Sequence, residues 1–406
     1  MTRTLLRNGR LFDGTSDEVA VADVVLEGER IAEVGVGLDG DQVIDCAGKL
    51  LTPGLFDCHV HFMVDGDFSA KTHLATPFSL NFFQAAERMG RTLDIGVTTV
   101  REAGGSDAGV REAQERGLIR GPRTLLSLTM LSQTGGHGDS WEICGSHMPG
   151  MSDPHPGRPD NVVDGPEAMR KKVRELIRAG ADVIKVATSG GVISPRSDPR
   201  HAHFRPDELD MLVAEATAAG RFVMAHAQGN PGIRNAVAAG IRSIEHGIYL
   251  DEEVIEMMLE AGTFLVPTLI APLGVLDAVD KGFDLPDFVV AKATEVVEIH
   301  RASVQQAIGA GVPIAMGTDS GVTPHGENLR ELSEMADLGM SPVEVLRAST
   351  SVAADLLGIA EEVGTIEPGK IADLVVWDGD DLNVSDMRSR LSTVVQSGAV
   401  VASADG

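Results

Sequence analysis

His59 and His61, in Phe56-Asp-Cys-His59-Val-His61-Phe, are separated by a single residue. On an extended strand residues i and i+2 face the same side, so both imidazoles can reach one cation. Four more residues of ligating or acid-base type close short apolar runs farther along. They are Lys185 in Asp182-Val-Ile-Lys185, His226 in Phe222-Val-Met-Ala-His226, His246 in Ser243-Ile-Glu-His246, and Asp319 in Pro313-Ile-Ala-Met-Gly-Thr-Asp319. A lone His-x-His recurs by chance; the other four residues give it weight.

Lys185 is the informative member. Its amine sits in an apolar run, where an ammonium is costly to keep unless it is paired, neutralised or modified. A neutral amine can add carbon dioxide, and the resulting carbamate is an anionic ligand able to bridge two cations. Two divalent ions then find their charge nearly offset by carboxylated Lys185, Asp319 and a bridging hydroxide. Imidazole and carboxylate ligands suit zinc, with manganese or cobalt as alternatives. Water held between two such ions ionises near neutral pH and attacks a polarised carbonyl carbon. Asp319 can accept its proton and pass it to the leaving group.

Such residues need a scaffold that gathers strand ends. Eight short apolar runs end in polar or ionisable residues, and beside those above they close at His59, Arg101-Glu102, Thr129 and Thr268. Helical patterns lie between them, as in Pro166 to Gly180 and Pro206 to Gly220, each with Pro near its start and Gly as its stop. Alternating strands and helices in this number predict an α/β chain forming a (β/α)8 barrel, whose chemistry sits at the C-terminal strand ends. A doubly wound sheet is the alternative, but no Gly-rich phosphate loop follows the first run. The chain ends read differently, as short alternating strands with turns. We expect residues 1–55 and 360–406 to pair into a small β-sandwich beside a metal-binding barrel of residues 56–359.

The 406 residues carry a net charge of -26, which disfavours nucleic acid as a partner. The N-terminus lacks the unbroken apolar core of a signal peptide and no run is long enough to span a membrane. Three cysteines (Cys46, Cys58, Cys144) make no disulfide framework, so a reducing, cytoplasmic setting is expected. The expected partner is a small-molecule substrate, and the expected assembly a homo-oligomer.

The motifs Leu55-Phe-Asp-Cys-His-Val-His61, strand-end Lys185, Ala225-His226-Ala, Ser243-Ile-Glu-His246-Gly, Gly317-Thr-Asp319 and Glu367-Pro-Gly-Lys-Ile-Ala-Asp373 resemble the amidohydrolase superfamily of metal-dependent hydrolases along essentially the whole chain. The resemblance implies that His59, His61 and Asp319 hold a more buried metal ion, His226 and His246 a more exposed one, and carboxylated Lys185 the bridge. Thr134-Gly-Gly-His137-Gly-Asp139, Ala187-Thr-Ser-Gly-Gly-Val192, Ala225-His-Ala-Gln228-Gly and Pro324-His325-Gly-Glu-Asn328 are similar to the branch of Xaa-Pro and Xaa-Arg dipeptidases, related to imidazolonepropionase. Gln228 stands where members of that branch often carry Tyr, a group associated with gripping the substrate carboxylate.

His137, on a glycine-flanked loop after the third run, is a candidate for binding a substrate carboxylate or a developing oxyanion. Gln228 and His325 are further substrate-binding candidates. The expected activity is hydrolysis of an amide bond in a dipeptide or N-acyl amino acid with a free carboxylate; a neutral amide, carbamate or phenylurea is the alternative. A deaminase of the same fold usually has an acid shortly after the strand-five histidine, and Ala227-Gln-Gly-Asn-Pro231 has none. A noncatalytic binding protein would be expected to have lost ligands, yet all are present.

Overall fold

The computed structural model describes residues 2–66, 70–147, 154–194, 196–282 and 285–403. Near the N-terminus lie β1 (Arg3–Leu11), β2 (Ala20–Glu27), β3 (Arg30–Gly35), β4 (Gln42–Asp45) and β5 (Lys49–Pro53). Then come β6 (Leu55–Val60), β7 (Val97–Glu102), β8 (Arg123–Leu126), β9 (Met130–Leu131), β10 (Val183–Ala187), β11 (Phe222–Ala227), β12 (Ser243–His246) and β13 (Phe264–Val266), interleaved with helices. The C-terminal strands are β14 (Leu374–Asp378), β15 (Leu391–Gln396) and β16 (Ala399–Ser403).

The two chain ends share one eight-stranded sheet, ordered β16-β15-β14-β5-β1-β2-β3 with β4 also paired to β1. Its seam is the antiparallel pair β5 and β14, in which Trp377 lies opposite Leu50. The period of two divides β14 between two cores. Leu374 and Val376 join Leu6, Val24 and Leu51 in the sheet's own cluster, while Val375 and Trp377 join the main core with Leu50 and Val97. The buried Trp377 indole donates to Thr52 Oγ1 at 3.0 Å, so its polar atom is satisfied.

In the central part, β6-β7-β8 and β9-β10-β11-β12-β13 are parallel runs. β6, β7, β10 and β12 are buried along their whole length, the pattern of parallel strands covered on both faces. Asp182 N donates to Leu126 O, linking the two runs on one side. On the other side residues 313–319 bridge them: Leu265 N bonds to Pro313 O, and Cys58 N to Met316 O. This last segment was expected as an eighth strand, but it forms only isolated bridges, at Ile314 and Ser320. Thr318 gives its N–H to the side chain of Asp57 on β6 (Oδ1, 3.1 Å) and not to a backbone carbonyl, and Asp319 turns to a φ of 57°.

The helices Pro166–Arg178 and Pro206–Ala218 begin at the prolines read from sequence, and the chain leaves them through Gly180 and Gly220 at φ of 100° and 68°. No helix among the described residues is long and apolar enough to cross a membrane.

Candidate active site

The six ligand-type residues reach one cavity of about 230 Å³ from the C-terminal ends of β6, β10, β11 and β12 and from the closing segment. His59, His61 and Asp319 place one ligand atom each within 4.8 Å of one another. Asp319 Oδ1 is 3.2 Å from His61 Nε2 and 3.5 Å from His59 Nε2. Lys185 Nζ lies 3.1 Å from His59 Nε2. The His246 ring centroid is 5.2 Å from that of His59 and 4.7 Å from that of His226, so the second pair of imidazoles adjoins the first. Three cavity residues, His246 (φ 75°), Thr268 (φ 53°) and Asp319 (φ 57°), hold left-handed backbone, a conformation that non-glycine residues adopt at a cost and that recurs at functional sites.

Hydrogen bonds select which ring nitrogen keeps a lone pair. His59 Nδ1 donates to Glu245 Oε2 (2.8 Å) and His61 Nδ1 to the Gly104 carbonyl (2.7 Å), leaving Nε2 in each. His226 Nε2 donates to the Gly190 carbonyl (3.0 Å), leaving Nδ1. His246 Nδ1 is 2.7 Å from Thr268 Oγ1; donation there leaves Nε2. Partners of this kind orient the ligating histidines of metal sites.

The charge states follow the same direction. Burial pushes His59 and His226 well below the ordinary imidazole value and His246 down to about 3. Burial likewise lowers the Lys185 amine to about 8, against the opposing pull of Glu245 and Asp319. For Asp319, burial alone acts upward, but His59, His61 and His246 outweigh it and hold the carboxyl well below its usual range. Burial acts downward on His61, yet its bond to Asp319 and the charges of Asp319 and Glu102 raise it above the ordinary value. Neutral imidazoles at His59, His226 and His246, an ionised carboxylate and a readily neutralised amine are states in which such groups bind metal, whereas His61 is drawn toward its protonated form by Asp319 and would give up that proton to a cation.

Behind the cluster stands a buried network that sequence reading did not single out. Glu245 accepts from His59 Nδ1, from Arg101 Nη2 (2.7 Å) and from Ser243 Oγ (2.6 Å), and both Glu245 and Arg101 are fully buried. Arg101 also donates through Nε to the Cys58 carbonyl, tying β7 to β6 and β12. Glu331 accepts the N–H groups of Leu269 and Ile270, fixing the turn that carries Thr268 to His246. A charged residue inside an apolar strand, as at Arg101 and Glu245, was the available signal, since neither can be buried unpaired.

A model of the amidohydrolase family matches residues 50–402. The chain belongs to the amidohydrolase family. It is 35% identical over 398 residues to the ochratoxinase of Aspergillus niger, covering 93% of this chain and 82% of that protein. The crystal structure of a Xaa-Pro dipeptidase with methionine bound in its active site superposes with a TM-score of 0.91 at 32% identity, over 98% of this chain and 99% of that one. A prolidase complexed with N-methylphosphonate-L-proline superposes with a TM-score of 0.88 at 36% identity, over 98% and 99%. The protein is therefore an enzyme, a hydrolase with the TIM-barrel-type fold of its family.

The other expected residues of this amidohydrolase divide in two. His137 and Gln228 line the cavity. The His137 ring stacks on His226 (4.2 Å between centroids, 18° between planes), and burial lowers it to about 3, which favours a neutral imidazole. It fits there because position 191 is glycine: a Cβ at Gly191 would fall 2.2 Å from His137 Cε1. Gln228 Oε1 and His137 Nδ1 are buried without a hydrogen-bond partner. His325, in contrast, does not line the cavity. Its Nε2 bonds to the carbonyls of His61 (3.1 Å) and Val64 (3.2 Å) and its ring stacks on Phe62, so it braces the strand end that carries His61. Arg196, on the segment after β10, pairs with Glu142, and Arg200 with Asp198.

Proposed function

We propose that this amidohydrolase is a binuclear metal-dependent hydrolase of the amide bond in dipeptides or N-acyl amino acids with a free carboxylate. The observation that carries this reading is the approach of Lys185 Nζ to 3.1 Å from His59 Nε2, within a set of imidazoles whose hydrogen bonds each engage one ring nitrogen and leave the other for a cation. Burial makes the Lys185 ammonium costly, and a neutral amine in this place can carry a carbamate toward the ligand set. The donor set fits two divalent ions, and zinc suits its nitrogen and oxygen ligands. His59, His61 and Asp319 would hold one ion, His226 and His246 the other, with carboxylated Lys185 between them. Bound there, the ions would supply an acidified water and a polarised carbonyl.

The protein's own groups account for the remaining steps. Neutral Lys185 Nζ forms an N–C bond to carbon dioxide and releases one proton, giving a carbamate of charge -1. Asp319, on the cavity side of both imidazoles, takes the proton of the attacking water at its carboxylate. As the C–N bond breaks, that proton passes to the departing nitrogen, and the second proton of the water leaves the new carboxyl group for the amine, so the products are a carboxylate and an ammonium. His137, as a neutral imidazole, can donate one hydrogen bond to the substrate, and Gln228 another.

A second reading, a neutral amide, carbamate or urea as substrate, is favoured by one observation. Lys185 is the only lysine or arginine among the described residues that line the cavity, so a substrate carboxylate would meet no guanidinium or second amine there. Turnover of matched acid and amide pairs, such as N-acetyl-leucine against N-acetyl-leucinamide, separates the two. A higher kcat/KM for the acid supports the first reading and a higher value for the amide the second.

A further inference from the structure

One wall of the cavity takes no part in the ligand set. It is formed by Val192 after β10, Ile248 after β12, Ala271 and Val275 of the helix Ile270–Asp280, and Val296 of the helix Asp287–Ala310. Val192, Ile248, Val275 and Val296 belong, with Ala293 behind them, to a hydrophobic cluster separate from the one that fills the main core. The wall is thus a packed apolar surface held by two helices and two strand-end loops.

Its charge inventory is equally specific. Among the described lining residues Lys185 is the only amine or guanidinium and Asp319 the only carboxylate, and both belong to the ligand set. Cations close by are already engaged: Arg196 with Glu142, Arg200 with Asp198, and Lys292 Nζ with the carbonyls of Ser194 (2.9 Å) and Ser197 (2.8 Å). An ionised side chain pressed against this wall would lose its hydration and find no partner, whereas an apolar one gains by leaving water.

We propose that this wall is a specificity pocket that selects substrates bearing a bulky uncharged apolar group, a branched aliphatic or aromatic side chain, and rejects Lys, Arg, Asp and Glu. The inference rests on the amide-hydrolase reading and adds to it the class of side chain. It separates this enzyme from a dipeptidase for Xaa-Arg substrates.

The test uses the zinc-loaded enzyme with N-acetyl-amino acids and Xaa-Pro dipeptides in which the variable residue is Leu, Phe, Lys, Arg or Asp. The Leu and Phe substrates should exceed the charged ones in kcat/KM by ~100-fold, as expected when an apolar pocket must desolvate a charge. Charged substrates hydrolysed as well as apolar ones would overturn the pocket and leave the hydrolase intact. Thermal shifts with free Leu, Phe, Lys and Asp are read alongside. Stabilisation by Leu and Phe alone, with no hydrolysis of any substrate, supports the pocket and overturns the hydrolase reading. Filling the wall with Ala271→Phe should reduce kcat/KM for N-acetyl-phenylalanine ~10-fold more than for N-acetyl-glycine. Equal loss on both contradicts the assignment, and the wild-type panel decides the matter if that variant does not fold.

Discussion

Glu245 Oε2 lies 2.8 Å from His59 Nδ1, both residues being buried, and the other carboxylate oxygen is held by Arg101 at 2.7 Å. This pair fixes the tautomer of the histidine that adjoins both Lys185 and Asp319. Glu245→Gln should retain the fold and weaken metal binding by ~10–100-fold, the usual effect of losing such a partner. Competition against a chelator measures it; unchanged affinity would show that Glu245 only shapes the strand.

Glu245→Ala should behave differently. It strands the buried Arg101 guanidinium without its carboxylate, and removing one member of a buried pair costs about 3–5 kcal/mol. Denaturant melts of the two variants should therefore diverge, with the alanine variant much the less stable.

Asp319→Asn should keep the chain folded while lowering kcat by on the order of 10³, since proton acceptance from water and donation to the leaving nitrogen are both lost. Turnover near that of the wild type would remove Asp319 from the proton path.

Carboxylation of Lys185 needs the neutral amine, whose population grows as pH rises through about 8, the value to which burial lowers it. At fixed dissolved carbon dioxide, recovery of activity by metal-free protein on adding zinc should speed up from pH 6 through pH 8 and level off only about one unit above that value. A rate independent of pH over that range would speak against a lysine-derived ligand.

His137→Ala should raise KM more for N-acetyl-leucine than for N-acetyl-leucinamide if its ring meets the substrate carboxylate. Gly191→Ala should give the same pattern, because its new methyl group occupies the position of the His137 ring. Equal effects on acid and amide would assign His137 to the carbonyl or to packing against His226.

The residues at strand ends were legible because strand periodicity and ligand chemistry point the same way: His59, His61, Lys185, His226, His246 and Asp319 all reach one cavity. The eighth segment was harder to read, since the Thr318 amide bonds the Asp57 side chain, a contact far away in sequence, and interrupts the backbone pairing with β6. His325 misled for a similar reason. It lies near Asp319 along the chain, but its ring turns to the carbonyls of His61 and Val64. The Glu245 and Arg101 pair joins β12 to β7 across the interior, and no local pattern announces which buried charge meets which. The apolar wall was unreadable because it is assembled from two helices and two loops whose residues look like ordinary core.

The central claim is that Lys185 is a carboxylated ligand between two metal ions. Metal content measured by mass spectrometry on protein reconstituted with zinc and bicarbonate tests it most directly, for the wild type and Lys185→Ala in parallel, with and without added acetate or propionate. The account predicts two zinc ions per wild-type chain, loss of most metal and activity in Lys185→Ala, and partial return of both with the short acids. One zinc per active wild-type chain, with activity undiminished in Lys185→Ala, would contradict it.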